Sequence, residues 1–202
     1  MGNRLIREMT MAEIEEVLGC KVKLISKKPD KILADIHEGE TFKIGPLEFI
    51  VLEHIEEGTR VLLKSIWKKD KFSSCGNHFG SSRIRSEVNE KFLTHLKSLV
   101  DAKNIVPHAT CLTADDGRKE YKDCKGYISL LTTDLYRKYV DILDKYNPES
   151  SWWLATACST LYKYNRQVVY VNSDGTLCCT NSDADNIGIR PYCILKSSTI
   201  VE

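Results

Sequence analysis

No apolar run in the 202-residue chain approaches the ~20 residues that a membrane-spanning helix requires. The opening Met1-Gly2-Asn3-Arg4-Leu5-Ile6-Arg7-Glu8 has no apolar stretch of the kind a signal peptide carries, and Ile6 stands where a myristoylation motif wants Ser or Thr. The expectation is a cytoplasmic protein with no membrane partner. Charge of one sign is also missing. With 29 Lys and Arg against 28 Asp and Glu, the net charge of +1 argues against a dedicated nucleic-acid or membrane-surface protein. Proline (5) and glycine (11) are too few for a collagen-like or low-complexity chain. There is no phosphate-binding Gly-x-x-x-x-Gly-Lys loop and no Gly-x-Gly-x-x-Gly run. The five histidines, His37, His54, His78, His95 and His108, are isolated, and none lies in the last third.

What is present is ordinary globular material, 42% hydrophobic and 28% charged, enough for one sizeable core. The eight cysteines read as reduced, partly buried small hydrophobes rather than a disulfide frame. Adjacent Cys178 and Cys179 point to opposite faces of a strand, which disfavours a bridge between them.

Thr10-Met11-Ala12-Glu13 is a capping box. It opens a short helix with Ile14, Val17 and Leu18 on one face and Gly19 as its stop. Cys20 to Ile25 alternates like a strand. A polar connection between Lys27 and Glu40 marks the seam, giving a helix-strand appendage over 1–39 and a main domain over 40–202. Phe42 to Leu52 and Arg60 to Trp67 flank Glu56-Glu57-Gly58-Thr59 as a hairpin. Ser81 or Ser82 caps a helix bearing Ile84, Val88, Phe92, Leu96, Leu99 and Val100 on one face. Thr132 or Thr133 caps a second, with Leu135, Tyr139, Ile142 and Leu143, which Asn147-Pro148 ends. Strands follow at Trp152 to Ala157, Gln167 to Val171, Thr176 to Cys179 and Ile189 to Leu195. Strands, two helices, then strands predict an α+β fold.

Several of these pieces carry a resemblance. The hairpin strands Leu47 to Leu52 and Arg60 to Leu63, the Ser82-Arg83-Ile84-Arg85 … Asn89 … Phe92 helix, Tyr127 to Leu131, and an ending of Trp152-Trp153-Leu154, Asp174-Gly175 and Gly188-Ile189-Arg190-Pro191 occur in one order. In that order the chain resembles a bacterial domain family of unknown function common in Firmicutes and their phages. The ending is also similar to the C-type-lectin-like fold of formylglycine-generating enzymes and of retroelement-diversified phage proteins. The resemblance implies a mixed, mainly antiparallel sheet with two main helices.

Three residues read as scaffold: Trp153 in the core, Asn89 within the helix motif, and Arg190 clamping backbone carbonyls where loops converge. Because neighbours on a strand alternate, Trp152 is expected at a surface or partner. With it go the adaptable loop residues Tyr162, Tyr164, Asn165, Arg166, Asn181, Asp183 and Asp185 as a binding surface. Asp183, Asp185 and Asn186 also offer oxygens of the kind a lectin uses for calcium, without the converging set a site needs. A second surface lies in the segment from Arg60 to Lys103, which carries ten Lys and Arg against four acids. Its basic patch is Lys68, Lys69, Lys71, Arg83 and Arg85.

Cys75-x-x-His78 and His108-x-x-Cys111 form a formally complete zinc set, but only the first half contains a tight Gly-bearing turn. No metal, no cofactor and no catalytic residue is assigned. The leading reading is a non-enzymatic recognition module of bacterial or phage origin that binds a protein partner inside the cell. Inhibition of a host defence complex by a phage accessory protein is one setting. The alternatives are a metal-dependent oxidase of the formylglycine-generating type using Cys178, Cys179 and Cys193, and nucleic-acid binding through residues 60–103.

Overall fold

The computed structural model describes residues 10–21 and 31–202, and the chain divides into two compact units after Asp30. In the first unit, helix α1 (Met11–Leu18) starts on the capping box: Thr10 Oγ1 accepts from the Glu13 N–H, and the Glu13 carboxylate accepts from the Thr10 N–H at 2.7 Å. Gly19 closes the helix in the left-handed conformation, φ 64°. Beyond Lys21, the expected strand from Cys20 to Ile25 lies outside the described residues.

The second unit is a mixed α/β body with mostly antiparallel sheets and a few helices. Its strands are β1 (Lys31–Ile32), β2 (Thr41–Ile44), β3 (Leu47–Ile55), β4 (Gly58–Leu63), β5 (Lys68–Lys69), β6 (Ile105–Val106), β7 (His108–Thr110) and β8 (Cys124–Gly126). They continue as β9 (Ile128–Ser129), β10 (Trp152–Ala157), β11 (Gln167–Val171), β12 (Leu177–Asn181), β13 (Gly188–Ile189), β14 (Tyr192–Leu195) and β15 (Ile200–Val201). One sheet runs β12-β11-β10-β13-β5, with β10 and β13 parallel. The other runs β2-β3-β4-β14-β6, with β9 also on β14. Small ladders join β1 to β15 and β7 to β8.

The seam expected after residue 39 falls earlier. Leu33 and Ile36 are 0% and 4% exposed within the core, and β1 pairs with β15, so residues 31–39 are part of the main body. The expected strand from Phe42 to Leu52 is two strands folded at Gly45, whose φ of 54° suits glycine. At Gly58, φ is 152° and a Cβ would stand 2.3 Å from the Leu195 carbonyl oxygen, so only glycine lets β4 approach β14 this closely.

The first predicted helix is a continuous run: α2 (Arg83–Glu87), a π-helical turn (Val88–Phe92) and α3 (Leu93–Leu99). Ser82 caps it, its Oγ accepting from the Arg85 N–H at 3.2 Å. The i+4 spacing of Ile84, Val88, Phe92 and Leu96 puts all four in the core at 0% exposure. The π-turn aims Asn89 at the chain before β9. Its amide donates to the Ile128 carbonyl at 2.7 Å and accepts from the Tyr127 and Ile128 N–H groups at 3.1 Å. The second predicted helix is broken at Tyr139 into α4 (Thr133–Lys138), capped by Thr132, and α5 (Val140–Leu143).

Two apolar clusters make the core, and β10 serves both. Trp153 and Ala155 face one cluster, while Trp152 and Leu154 face the other. Both tryptophans are 0% exposed, which corrects the expectation of Trp152 at a surface. The alternation is real, but both faces of this strand are covered. The ring N–H groups are satisfied there, Trp152 by Asn147 Oδ1 and Trp153 by the Asp70 carbonyl, each at 3.0 Å.

The expected strand from Ile189 to Leu195 is divided by Arg190-Pro191, where the chain passes from one sheet to the other. Arg190 is 0% exposed. It donates to the carbonyls of Leu63 (2.8 Å) and Tyr146 (3.1 Å), and its guanidinium lies 4.9 Å from the Trp152 ring centroid. Burial lowers its pKa to about 9, still charged at neutral pH.

Candidate functional site

The loop over residues 158–166 leaves β10 and returns as β11, so its two ends stay close: the Cys158 N–H donates to the Gln167 carbonyl at 3.0 Å. A single 3-10 turn, Tyr162–Tyr164, forms its tip. Tyr162 is 89% exposed, and Leu161 and Tyr164 are each 38% exposed beside it. Large exposed side chains on so short a segment would ordinarily be mobile. Here the base of the loop is tied down from three sides.

The first tie is Asn77, 1% exposed. Its amide nitrogen faces the carbonyls of Ser159 (2.8 Å), Tyr164 (3.0 Å) and Gln167 (3.0 Å), so its two hydrogens serve three acceptors. Its amide oxygen accepts from the Tyr121 hydroxyl at 2.7 Å, and its N–H donates to the Asn165 carbonyl at 2.9 Å. One side chain thus joins three stretches of chain. Sequence reasoning missed it, treating Asn77 only as part of a Gly-bearing turn. Such a turn beside a polar loop was the available signal.

The second tie corrects an expectation. Cys158 and Cys179 form a disulfide, with Cα atoms 6.4 Å apart, while Cys20, Cys75, Cys111, Cys124, Cys178 and Cys193 are free. The bond links the start of the loop to β12, an approach set by sheet order and not by sequence spacing. The third tie is an Arg166–Asp183 ion pair at 2.5 Å, supported by Thr160 donating to Glu120 at 2.6 Å. Both side chains of that pair are nearly half exposed, so it adds little stability.

The structure brings Tyr162, Tyr164, Asn165, Arg166, Asn181 and Asp183 into one neighbourhood, because Asn181 pairs with Gln167 and the Ser182 N–H donates to the Arg166 carbonyl. Asp185 is exposed on the turn that follows. Trp152 is absent from this surface. Asp183 answers to Arg166, and among the described residues no group of three or more His, Cys, Asp or Glu is placed to hold a metal.

The two halves of the formal zinc set line different cavities, Cys75 and His78 in one and His108 and Cys111 in another. The His78 ring lies tilted by 35° against Tyr121, with centroids 4.4 Å apart, and burial, then the nearby Arg85, lowers its pKa. Cys75 Sγ contacts Ser73 Oγ at 3.8 Å and makes no hydrogen bond with His78. The thiols expected of an oxidase are dispersed as well. Cys179 is in the disulfide, and Cys193 is buried with its thiol pushed up to about 12.

The basic patch is largely neutralised. Lys68 pairs with Asp70 (2.9 Å) and with Glu87, and Arg83 lies 3.2 Å from Asp70 and 3.4 Å from Glu87. Burial works to lower the Lys68 pKa, but the bonds to Glu87 and Asp70 prevail and raise it. Arg85 spends its guanidinium on the carbonyls of Gly80 and Lys125. Lys69 and Lys71 make no ion pair among the described residues, a weaker surface than the sequence count implied. No helix among those residues is long and apolar enough to cross a membrane.

Residues 113–197 match the model of a domain of unknown function, DUF6273. The match covers less than half of the chain, and it contains the whole Tyr162 loop, β10 and Arg190 but neither Asn77 nor the β2-β3-β4 strands. No curated protein and no solved structure gives a significant match.

Proposed function

We propose that the second unit is a non-enzymatic recognition module that binds a protein partner through Leu161, Tyr162 and Tyr164, with Arg166, Asn181, Asp183 and Asp185 at the rim. The observation that carries this reading is Tyr162, 89% exposed on a loop whose base is held by Asn77 and a disulfide. A rigid tyrosine offers contact area at low entropic cost, the usual composition of an adaptable binding surface.

The resemblance to a Firmicutes and phage domain family supports a bacterial or phage setting and an intracellular partner, a host defence complex among them. The Cys158–Cys179 disulfide and the free thiols of Cys75 and Cys111 point to opposite redox settings, so the intracellular reading rests on the resemblance alone. A scaffold of antiparallel strands with recognition loops between them, closed by Gly-Ile-Arg-Pro, supports the C-type-lectin-like reading of the fold.

Affinity capture from native cells, comparing the wild type with Tyr162→Ser, tests the proposal. One protein should be retained by the wild type, lost with Tyr162→Ser, and kept by a Tyr127→Ser control. Equal retention by Tyr162→Ser overturns the surface. Copper or iron copurifying with an oxidation lost in Cys178→Ser would establish the oxidase reading instead. Steeply salt-dependent nucleic-acid binding lost on replacing Lys69 and Lys71 would establish the other alternative.

A further inference from the structure

A second site lies away from the Tyr162 loop. A cleft of about 480 Å³ opens on the six-stranded sheet beside α4, a volume typical of small-molecule sites. Ile55, Val106, Leu135 and Ile194 give it apolar walls, and Arg60 and Tyr192 bring hydrogen-bonding groups to it. Tyr192 is only 3% exposed, yet its hydroxyl makes no hydrogen bond among the described residues and is not sealed from solvent. A phenol open to a cleft and without a protein partner is free to donate to an acceptor on a ligand. Arg60 is in a similar state. Its Nη1 donates to Glu53 (2.9 Å) and to the Tyr139 hydroxyl (3.1 Å), while Nη2 has no partner and keeps access.

Two unpartnered donors set the ligand class. Arg60 and Lys138 share the single carboxylate of Glu53, and with Glu57 and Asp134 counted the charges around the cleft sum to −1, so Arg60 is the one cation among the lining residues that can meet an anion. The Tyr192 phenol stays protonated because burial raises its pKa well above the ordinary range. His108, on the cleft wall, is kept neutral because burial lowers its pKa, and it adds no charge. Glu57 and Asp134 also line the cleft, both on its exposed side, and they disfavour a doubly charged phosphate.

We propose that this cleft binds a small monocarboxylate with an aromatic or branched apolar body, its carboxylate accepting from Arg60 Nη2 and Tyr192 Oη. Such bonds to a charged group are the strong kind, and the apolar walls cover the rest of the ligand. Amide NMR titration of the whole chain with benzoate, benzamide and phenyl phosphate is the test. Benzoate should shift the resonances of Leu135, Ile194 and Tyr192. Benzamide and phenyl phosphate should bind about tenfold more weakly, and Tyr192→Phe should weaken benzoate by about the same factor. Leu135→Trp, which fills the cleft from α4, should abolish the shifts. If Leu135→Trp impairs folding, Tyr192→Phe removes one oxygen and leaves the packing intact. No shift with benzoate at about 10 mM, equal binding of benzamide, tighter binding of phenyl phosphate, or indifference to Tyr192→Phe overturns the proposal.

Discussion

Strand β10 and the loop that follows it are neighbours in the chain and both rich in aromatic residues, but they are held by different forces. In β10, Trp152 and Trp153 are rigid because atoms pack against them on both faces of a covered sheet. In the loop, Tyr162 is 89% exposed and is placed only by supports at neighbouring residues, a buried asparagine and a disulfide. Packing cannot be removed without the fold suffering. Supports made of a few polar and covalent bonds can be cut singly, so shape and stability should separate in the loop and stay joined in the strand.

The largest break expected is at the strand end of this comparison. Arg190→Met strands the carbonyls of Leu63 and Tyr146 and removes the contact with Trp152, which should cost about 3–5 kcal/mol. Urea unfolding measures it, and a loss below about 1 kcal/mol would dismiss the clamp. Next is Cys158→Ser, which opens a cross-link between residues 21 apart in sequence and should cost roughly 3 kcal/mol. Its amide-exchange signature should be faster exchange over 158–166, with β10 still protected.

Asn77→Ala leaves up to three carbonyls short of a donor and should cost about 2 kcal/mol. It should also weaken partner binding by raising the entropy of the loop, so that calorimetry shows the loss in the entropic part. Smallest in stability is Tyr162→Ser, expected within about 0.5 kcal/mol of wild type by thermal unfolding. If it destabilised the chain as Arg190→Met does, the contrast between strand and loop would fail.

Local signals were legible. Thr10 and Glu13, Ser82, and Thr132 cap helices as their spacing predicts, and the bounds of β10 and β11 follow from composition. What the sequence hid was set by tertiary neighbours. Trp152 looks like half of an in-out pair, though the uncharged run Trp-Trp-Leu-Ala-Thr-Ala was a cue for a strand buried on both sides. The basic patch looked open because Asp70 and Glu87, which neutralise it, lie 17 positions apart and are brought together only by the fold. Cys158 and Cys179 meet across β11, and nothing in their spacing requires it.

The passage of the chain through Arg190-Pro191 also bears on synthesis. Strand β13 fills the gap between β10 and β5, β14 joins β4 to β6 and β9, and β15 completes the ladder with β1. All three come from residues 188–201, so while the ribosome is still translating residue 180 neither large sheet can close. The hairpins β2-β3-β4 and β10-β11-β12 can form earlier, but they must wait with apolar faces uncovered for the strands of residues 188–201. A nascent chain of this protein should therefore lean on chaperones until those residues emerge, and a stop codon just before Gly188 should leave an aggregation-prone product in place of a smaller working domain.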